Sequence, residues 1–248
     1  MSAVAILQAY VERHFIELAE LAQRADSDIA TVAGLIAAGA LPQPSYRIWP
    51  NGSFSSPIGG AHGGEPQGIP TDWYSPAAVW WLRRALGMAE APTEIARRFA
   101  ADFVIEFVTQ LRALPDGQLA YPDVYVGGVL SPGAAATLAA AEWADWINGG
   151  YGVCLRHWSA TDAIAKMLQR GRIIALTDGA TRDTLTPSDG KALLEALERL
   201  EAVLLPLAPR QRPTGTPGLW IDRILVRYGL GRPPAGAAAE TTALRLCA

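Results

Sequence analysis

The sequence predicts a mainly α-helical single domain with an N-terminal helix-turn-helix-like lobe and one small β-hairpin. Three observations carry that expectation. Ser75-Pro76, Ser131-Pro132 and Thr186-Pro187 each set a capping hydroxyl before a proline suited to the first turn of a helix. Ile95, Phe99, Phe103, Phe107 and Leu111 recur every four residues, the spacing that lines one side of a helix. Against these helix signals, Asn51-Gly52 is the one strong hairpin signal.

Taken in chain order, residues Phe15 to Tyr46 hold Leu18, Leu21, Ala22, Ile29, Val32 and Ile36 at the spacing that two short helices need to cross over a small core. That stretch resembles the helix-turn-helix of MerR-type regulators, with the following hairpin in the place of a wing. Tyr46 to Trp49 and Phe54 to Ser56 are its two strands, and Val124 to Val129 is a weaker strand signal. Helices are expected from Pro76 to Leu86, Pro92 to Leu114, Pro132 to Asn148 and Pro187 to about Leu205. Ser159 and Asp162 form a variant capping box that opens another helix, ending near Gly171. A short helix from Leu219 to Tyr228 interrupts a tail rich in Pro, Gly and Arg. The organisation is thus a lobe over 1–58, a helical body over 72–206 and a C-terminal tail over 207–248, with Gly59 to Gly68 as a Gly-rich surface loop.

Half of the 248 residues are hydrophobic and 18% are charged, the composition of a folded globular chain. Cys154 and Cys247 are far apart in sequence, which argues against a disulfide framework and for a reducing cytoplasm. No basic stretch precedes the apolar residues at the N-terminus and no apolar run approaches the ~20 residues of a membrane span, so neither secretion nor membrane insertion is expected. DNA binding draws its affinity from Lys and Arg on phosphates. Yet Ser27 to Ala40, where a recognition helix would lie, has no basic residue and no Asn or Gln to read a base. The first 60 residues carry Glu12, Glu17, Glu20, Asp26 and Asp28 against Arg13, Arg24 and Arg47. No nucleic acid partner is expected, and the lobe reads as a packing or partner-docking module.

Three segments, Leu41-Pro-Gln-Pro-Ser-Tyr46, Trp73-Tyr-Ser-Pro-Ala-Ala-Val-Trp-Trp-Leu-Arg-Arg-Ala85 and Asn148-Gly-Gly-Tyr-Gly-Val-Cys-Leu-Arg156, occur in order at compatible spacing. Together they resemble the family labelled DUF6058, natural product biosynthesis proteins, over about Tyr10 to Leu205. The resemblance implies a bacterial cytoplasmic protein of specialised metabolism and brings no catalytic residues with it.

The richest stretch chemically runs from Trp143 to Ser159. It holds Trp143, Trp146 and Trp158, Tyr151, Cys154, His157, Asp145 and three glycines. Trp143 and Trp146, three apart on a helix, share a face, with Asp145 on the other side. As core anchors they need no further role, but an aromatic wall beside Asn148-Gly149-Gly150 is also how a small-molecule pocket is lined. On that reading Trp143, Asp145, Trp146, Asn148 and Arg156 bind substrate, while Tyr151, Cys154 and His157 exchange protons or attack. Cys154 and His157 form a thiolate–imidazolium pair only if the chain turns between them, because an extended chain points residues three apart to opposite faces. His62, Glu65 and His157 would make a two-His, one-carboxylate metal face only if distant segments converged. No P-loop, dinucleotide fingerprint or zinc motif appears, so neither an organic cofactor nor a metal is expected.

The expectation is a cytoplasmic tailoring enzyme acting by acid–base chemistry on a small amino-acid-like or carrier-bound intermediate, a lyase or cyclase as a first guess. The alternative is a non-catalytic small-molecule sensor or accessory protein. A carrier or partner protein and a homodimer are both compatible with the chain.

Overall fold

The computed structural model describes residues 3 to 231; Cys247 and the Ala-rich end of the 207–248 segment lie outside them. The chain opens with α1 (Ala3–His14), β1 (Ile16–Glu17), α2 (Leu18–Arg24) and α3 (Ile29–Ala37). Asp28 caps α3 by accepting from Thr31 N at 2.8 Å. Leu21, Ala22, Val32 and Ile36 are buried between these helices and the sheet, as their spacing requires. Ile29 is not: it is half exposed, because as the first residue of α3 it precedes the buried stripe.

Five short antiparallel strands follow the order β1–β5–β2–β3–β4, where β2 is Tyr46–Ile48, β3 is Phe54–Ser56, β4 is Gly60–His62 and β5 is Thr71–Tyr74. The expected hairpin is there, with Arg47 opposite Ser55 and Ile48 opposite Phe54. Trp49 drops out of the first strand because its N–H bonds to Ser53 O and closes the turn. The Gly-rich stretch differs from the loop its composition suggests. Gly60 and Gly63, both in the left-handed region, bend the chain back so that β4 pairs with the edge of β3.

The helical body comprises α4 (Ala78–Leu86), α5 (Pro92–Ala113), α6 (Gly117–Ala120), a minor hairpin of β6 (Tyr125–Val126) and β7 (Val129–Leu130), then α7 (Pro132–Ile147), α8 (Gly150–Cys154), α9 (Ala160–Thr177) and α10 (Pro187–Val203). Ser131, Ser159 and Thr186 each cap the helix that follows. Ser159 also donates to Asp162 at 2.6 Å, the reciprocal bond of the box. α4 starts two residues late because Ser75 to Ala78 first closes a turn. The Val124–Val129 signal becomes two strands around Gly127-Gly128. α9 runs six residues past Gly171, which is not a helix stop but a contact point: a Cβ there would collide with Leu119 O of α6. Among the described residues, no helix is long and apolar enough to cross a membrane.

The three motif segments meet at one junction. Gln43 N bonds to Ile147 O at 2.8 Å, Ser45 N bonds to Trp73 O at 2.8 Å, and Ser45 Oγ approaches Gly149 O at 3.4 Å. Gly149, at φ +83°, faces the Gln43 and Pro44 carbonyls, and Gly152 faces the Ser45 and Ser75 side chains, at separations that leave no room for a Cβ. Their glycines therefore serve close chain packing. The segment after Pro206 is also part of the body as far as it is described. A π-helical turn (Gly218–Asp222) leads into α11 (Arg223–Arg227), burying Ile221, Ile224 and Leu225. Gln211 reaches the N-terminal sheet, accepting from the buried Tyr46 hydroxyl at 2.6 Å and donating to Ser56 Oγ at 3.2 Å.

Candidate functional site

The tryptophans of the Trp143–Ser159 stretch are core. Trp143 packs edge-on to Trp81 and tilts against Phe103, while Trp158 stacks between Trp146, Phe103 and Tyr151 at centroid distances of 5.5, 5.3 and 4.5 Å. Trp143 and Trp146 do share the buried face of α7, and Asp145 lies on its exposed side. Asn148, Arg156 and His157 are exposed as well. The expected substrate set is therefore divided between core and surface rather than gathered round one cleft. The thiol–imidazole pair does not form. Leu155 is extended, so Cys154 turns inward while the exposed His157 stays at the surface. His62 accepts no such role either: it stacks on Phe54 and its Nε2 lies 2.6 Å from Gly59 O. Among the described residues, no three His, Cys, Asp or Glu side chains gather as metal ligands.

A different constellation surrounds Cys154. Its Sγ is 3.5 Å from Lys166 Nζ, and that ammonium sits 4.8 Å over the Tyr151 ring. Tyr10, Tyr46 and Tyr151 all feel the thiol electrostatically, and burial pushes each phenol well above its ordinary titration range. The Tyr10 and Tyr46 rings meet edge-on at 6.3 Å between centroids. Next to Tyr151 lies Glu142, 8% exposed. It occupies the buried stripe of α7 with Ala135, Ala139 and Trp146. Burial raises its pKa, against the hydrogen-bonding phenol of Tyr151, the charge of Lys166 and the phenol of Tyr121, which favour the carboxylate. Glu142 Oε2 itself has no hydrogen-bond partner among the described residues.

Tyr121 links this cluster to a cleft of about 480 Å³ between residues 118–124 and one face of α9. Leu119, Leu138, Met167 and Ile174 supply apolar walls, and Gln118, Asp123 and Arg170 supply polar groups. Leu138 is one helical turn before Glu142, and Arg170 is one turn after Lys166, so cleft and cluster lie along the same two helices. A cleft of this size with apolar walls and a few polar groups is what a small ligand requires. The helix period could have revealed Glu142, since residues 135, 139, 142 and 146 share a stripe; the composition of the following loop drew attention away from it.

Glu142 makes stability depend on pH in a defined direction. With its folded pKa above the ordinary carboxylate value, the folded state holds the proton more tightly than the unfolded chain. Stability is therefore highest below pH 4.5 as far as this group is concerned, and falls as pH rises through the folded pKa, by about 1.4 kcal/mol per unit of separation. Urea unfolding across pH 4 to 9 is expected to show this decline in the native chain and lose it in Glu142→Gln. Parallel profiles for the two proteins would refute the assignment.

Comparison with known proteins gives one family. The model described as "Family of unknown function (DUF6058)" matches residues 99–229. That match starts later and ends later than the Tyr10–Leu205 extent of the motif resemblance, leaving the first two motif segments outside it and taking in α11. Neither the curated proteins nor the solved structures give a match. The match spans more than half of the sequence and covers Glu142, Tyr151, Cys154 and Lys166 together with the cleft, while Tyr10 and Tyr46 lie before it: this chain belongs to the DUF6058 family.

Proposed function

We propose that the protein is an enzyme that performs acid–base chemistry on a small molecule seated in the 118–124/α9 cleft, in the cytoplasm and in the bacterial natural product biosynthesis that the motif resemblance implies. One observation supports this above the others. Tyr121 belongs both to the cleft wall and to the electrostatic surroundings of a buried carboxylate with a raised pKa, while its hydroxyl donates to Ala163 O at 3.4 Å. Perturbed titratable groups beside a cleft are the usual mark of a reactive site. Tyr121 would meet the substrate, and Glu142, held by Tyr151 and Lys166, would supply or accept the proton through it. The Leu18–Ala37 helix pair, with no basic residue from Ser27 to Ala40, suits protein docking in the manner of a MerR-like module without DNA.

A non-catalytic sensor is the second reading, favoured by the 8% exposure of Glu142, which keeps the carboxylate away from direct substrate contact. The two readings separate on incubation of the full chain with a panel of amino acids and small organic acids, followed by Trp fluorescence and mass spectrometry. An enzyme binds and changes the mass of a panel member, and Glu142→Gln abolishes the mass change, by about 100-fold or more, while keeping the binding. Binding without a mass change supports the sensor, and no response from any panel member would remove both.

A further inference from the structure

Arg170 stands apart from its neighbours. Two residues along the same helix, Arg172 pairs with Asp116 at 2.8 Å, and in the C-terminal segment Arg212 takes both oxygens of Asp222 at 2.7 and 2.8 Å. Arg170 is half-buried, lines the cleft and has no ion pair among the described residues. Its Nε is buried without a hydrogen-bond partner. Its guanidinium lies 5.5 Å over the Trp220 ring, which fixes the group without neutralising it. The candidate carboxylates are otherwise engaged or displaced: Asp222 is held by Arg212, and Asp123, on the same cleft, is exposed and not paired with Arg170. A guanidinium placed in a cleft without its anion is costly to desolvate, and a planar oxyanion from outside meets its fork with two parallel bonds.

We propose that the cleft selects molecules made of an apolar body and a single carboxylate, with the carboxylate seated on Arg170 and the body against Leu119, Leu138, Met167 and Ile174. A carboxylate fits better than a phosphate for a reason of charge. Among the described residues Arg170 is the one cation lining the cleft, and Lys166, a turn away, is directed to Cys154 and Tyr151. With Asp123 on the same cleft adding a negative charge, a phosphate dianion would be neutralised less and repelled more than a carboxylate monoanion. This assignment rests on the cleft being the ligand site of the proposed function but not on turnover.

The test is isothermal titration of the full chain with octanoate, octanol and octyl phosphate, repeated on Arg170→Gln, Arg170→Lys and the rim variant Asp123→Asn. Octanoate is expected to bind about 10- to 100-fold more tightly than octanol, and Arg170→Gln to remove that difference while octanol binding stays. Arg170→Lys, which keeps the charge and loses the fork, is expected to fall between them, and Asp123→Asn, which removes a negative charge from the same cleft, to bind octanoate at least as tightly as the parent. Unchanged circular dichroism and thermal midpoint in the variants exclude misfolding as the cause. Equal affinity for octanoate and octanol, tighter binding of octyl phosphate, no binding of any probe, or undiminished octanoate affinity in Arg170→Gln would each overturn the proposal. Arg170-dependent octanoate binding in a chain that transforms no panel member would sink the enzyme reading and leave this one standing.

Discussion

Trp158→Ala is expected to cost about 4 kcal/mol of folding stability, near the top of the range for truncating a buried aromatic. Trp158 is 3% exposed and stands in the middle of a stack, with Phe103 and Trp146 near-parallel to it and Tyr151 at 4.5 Å. Its backbone carbonyl receives the Trp81 indole N–H at 3.1 Å, a bond that ties α4 to the start of α9 and that alanine's backbone can also accept. Truncation leaves a void bounded by rigid rings on three sides, which cannot close by rotamer changes in small side chains. Guanidinium unfolding should show the midpoint falling with little change in slope, while Val126→Ala, at a residue 74% exposed, stays within about 0.5 kcal/mol of the parent. A loss below about 1.5 kcal/mol for Trp158→Ala would mean that the stack collapses around the gap and is not the rigid centre described above.

The second large effect is expected at Gly171. Replacing a helical glycine by alanine ordinarily stabilises by up to about 1 kcal/mol. Here the added methyl would meet Leu119 O and Leu119 C, and these are backbone atoms that no rotamer change can move. Gly171→Ala is therefore expected to destabilise by about 2 kcal/mol or more, opposite in sign to the propensity effect. The strain falls on α6 and the Gln118–Val124 segment, which form one wall of the cleft. Ligand binding should weaken with stability, and a crystal structure of the variant should show that wall displaced from α9. A neutral or stabilised Gly171→Ala protein would contradict the close approach of the two helices.

The helical class was readable because local rules set it. Capping Ser and Thr before proline mark where α7 and α10 begin, the Ser159–Asp162 box marks the start of α9, and phenylalanines every four residues determine which side of α5 is buried. What was not readable depends on partners distant in the chain. β1, β4 and β5 are two to four residues long and exist because their neighbours offer hydrogen bonds, with no strand-length pattern of their own. Gly171 resembles a stop until Leu119 is brought against it. The same applies to the site. Residue types concentrated in the Trp143–Ser159 stretch suggested a pocket, but α8 and the extended Leu155 send Cys154 inward and His157 out. The groups that do converge, Tyr121, Glu142, Tyr151, Lys166 and Arg170, come from three helices and a loop, and of these Tyr151 alone stands out in its own sequence neighbourhood.

The bond between Tyr46 and Gln211 orders events in time. The sheet around Tyr46 leaves the ribosome early, yet its buried hydroxyl finds its acceptor 165 residues later in the chain. Until that segment is synthesised the phenol lacks this acceptor, and Ser56 Oγ has the Gly59 N–H but not the Gln211 amide. Closing so long a loop carries an entropic cost that grows only logarithmically with its length, but it is met late, after the helices have already formed from local contacts. The last described stretch of the chain thus completes the first sheet, and a nascent chain stalled before Gln211 would hold the N-terminal lobe in an unfinished, exchange-labile state.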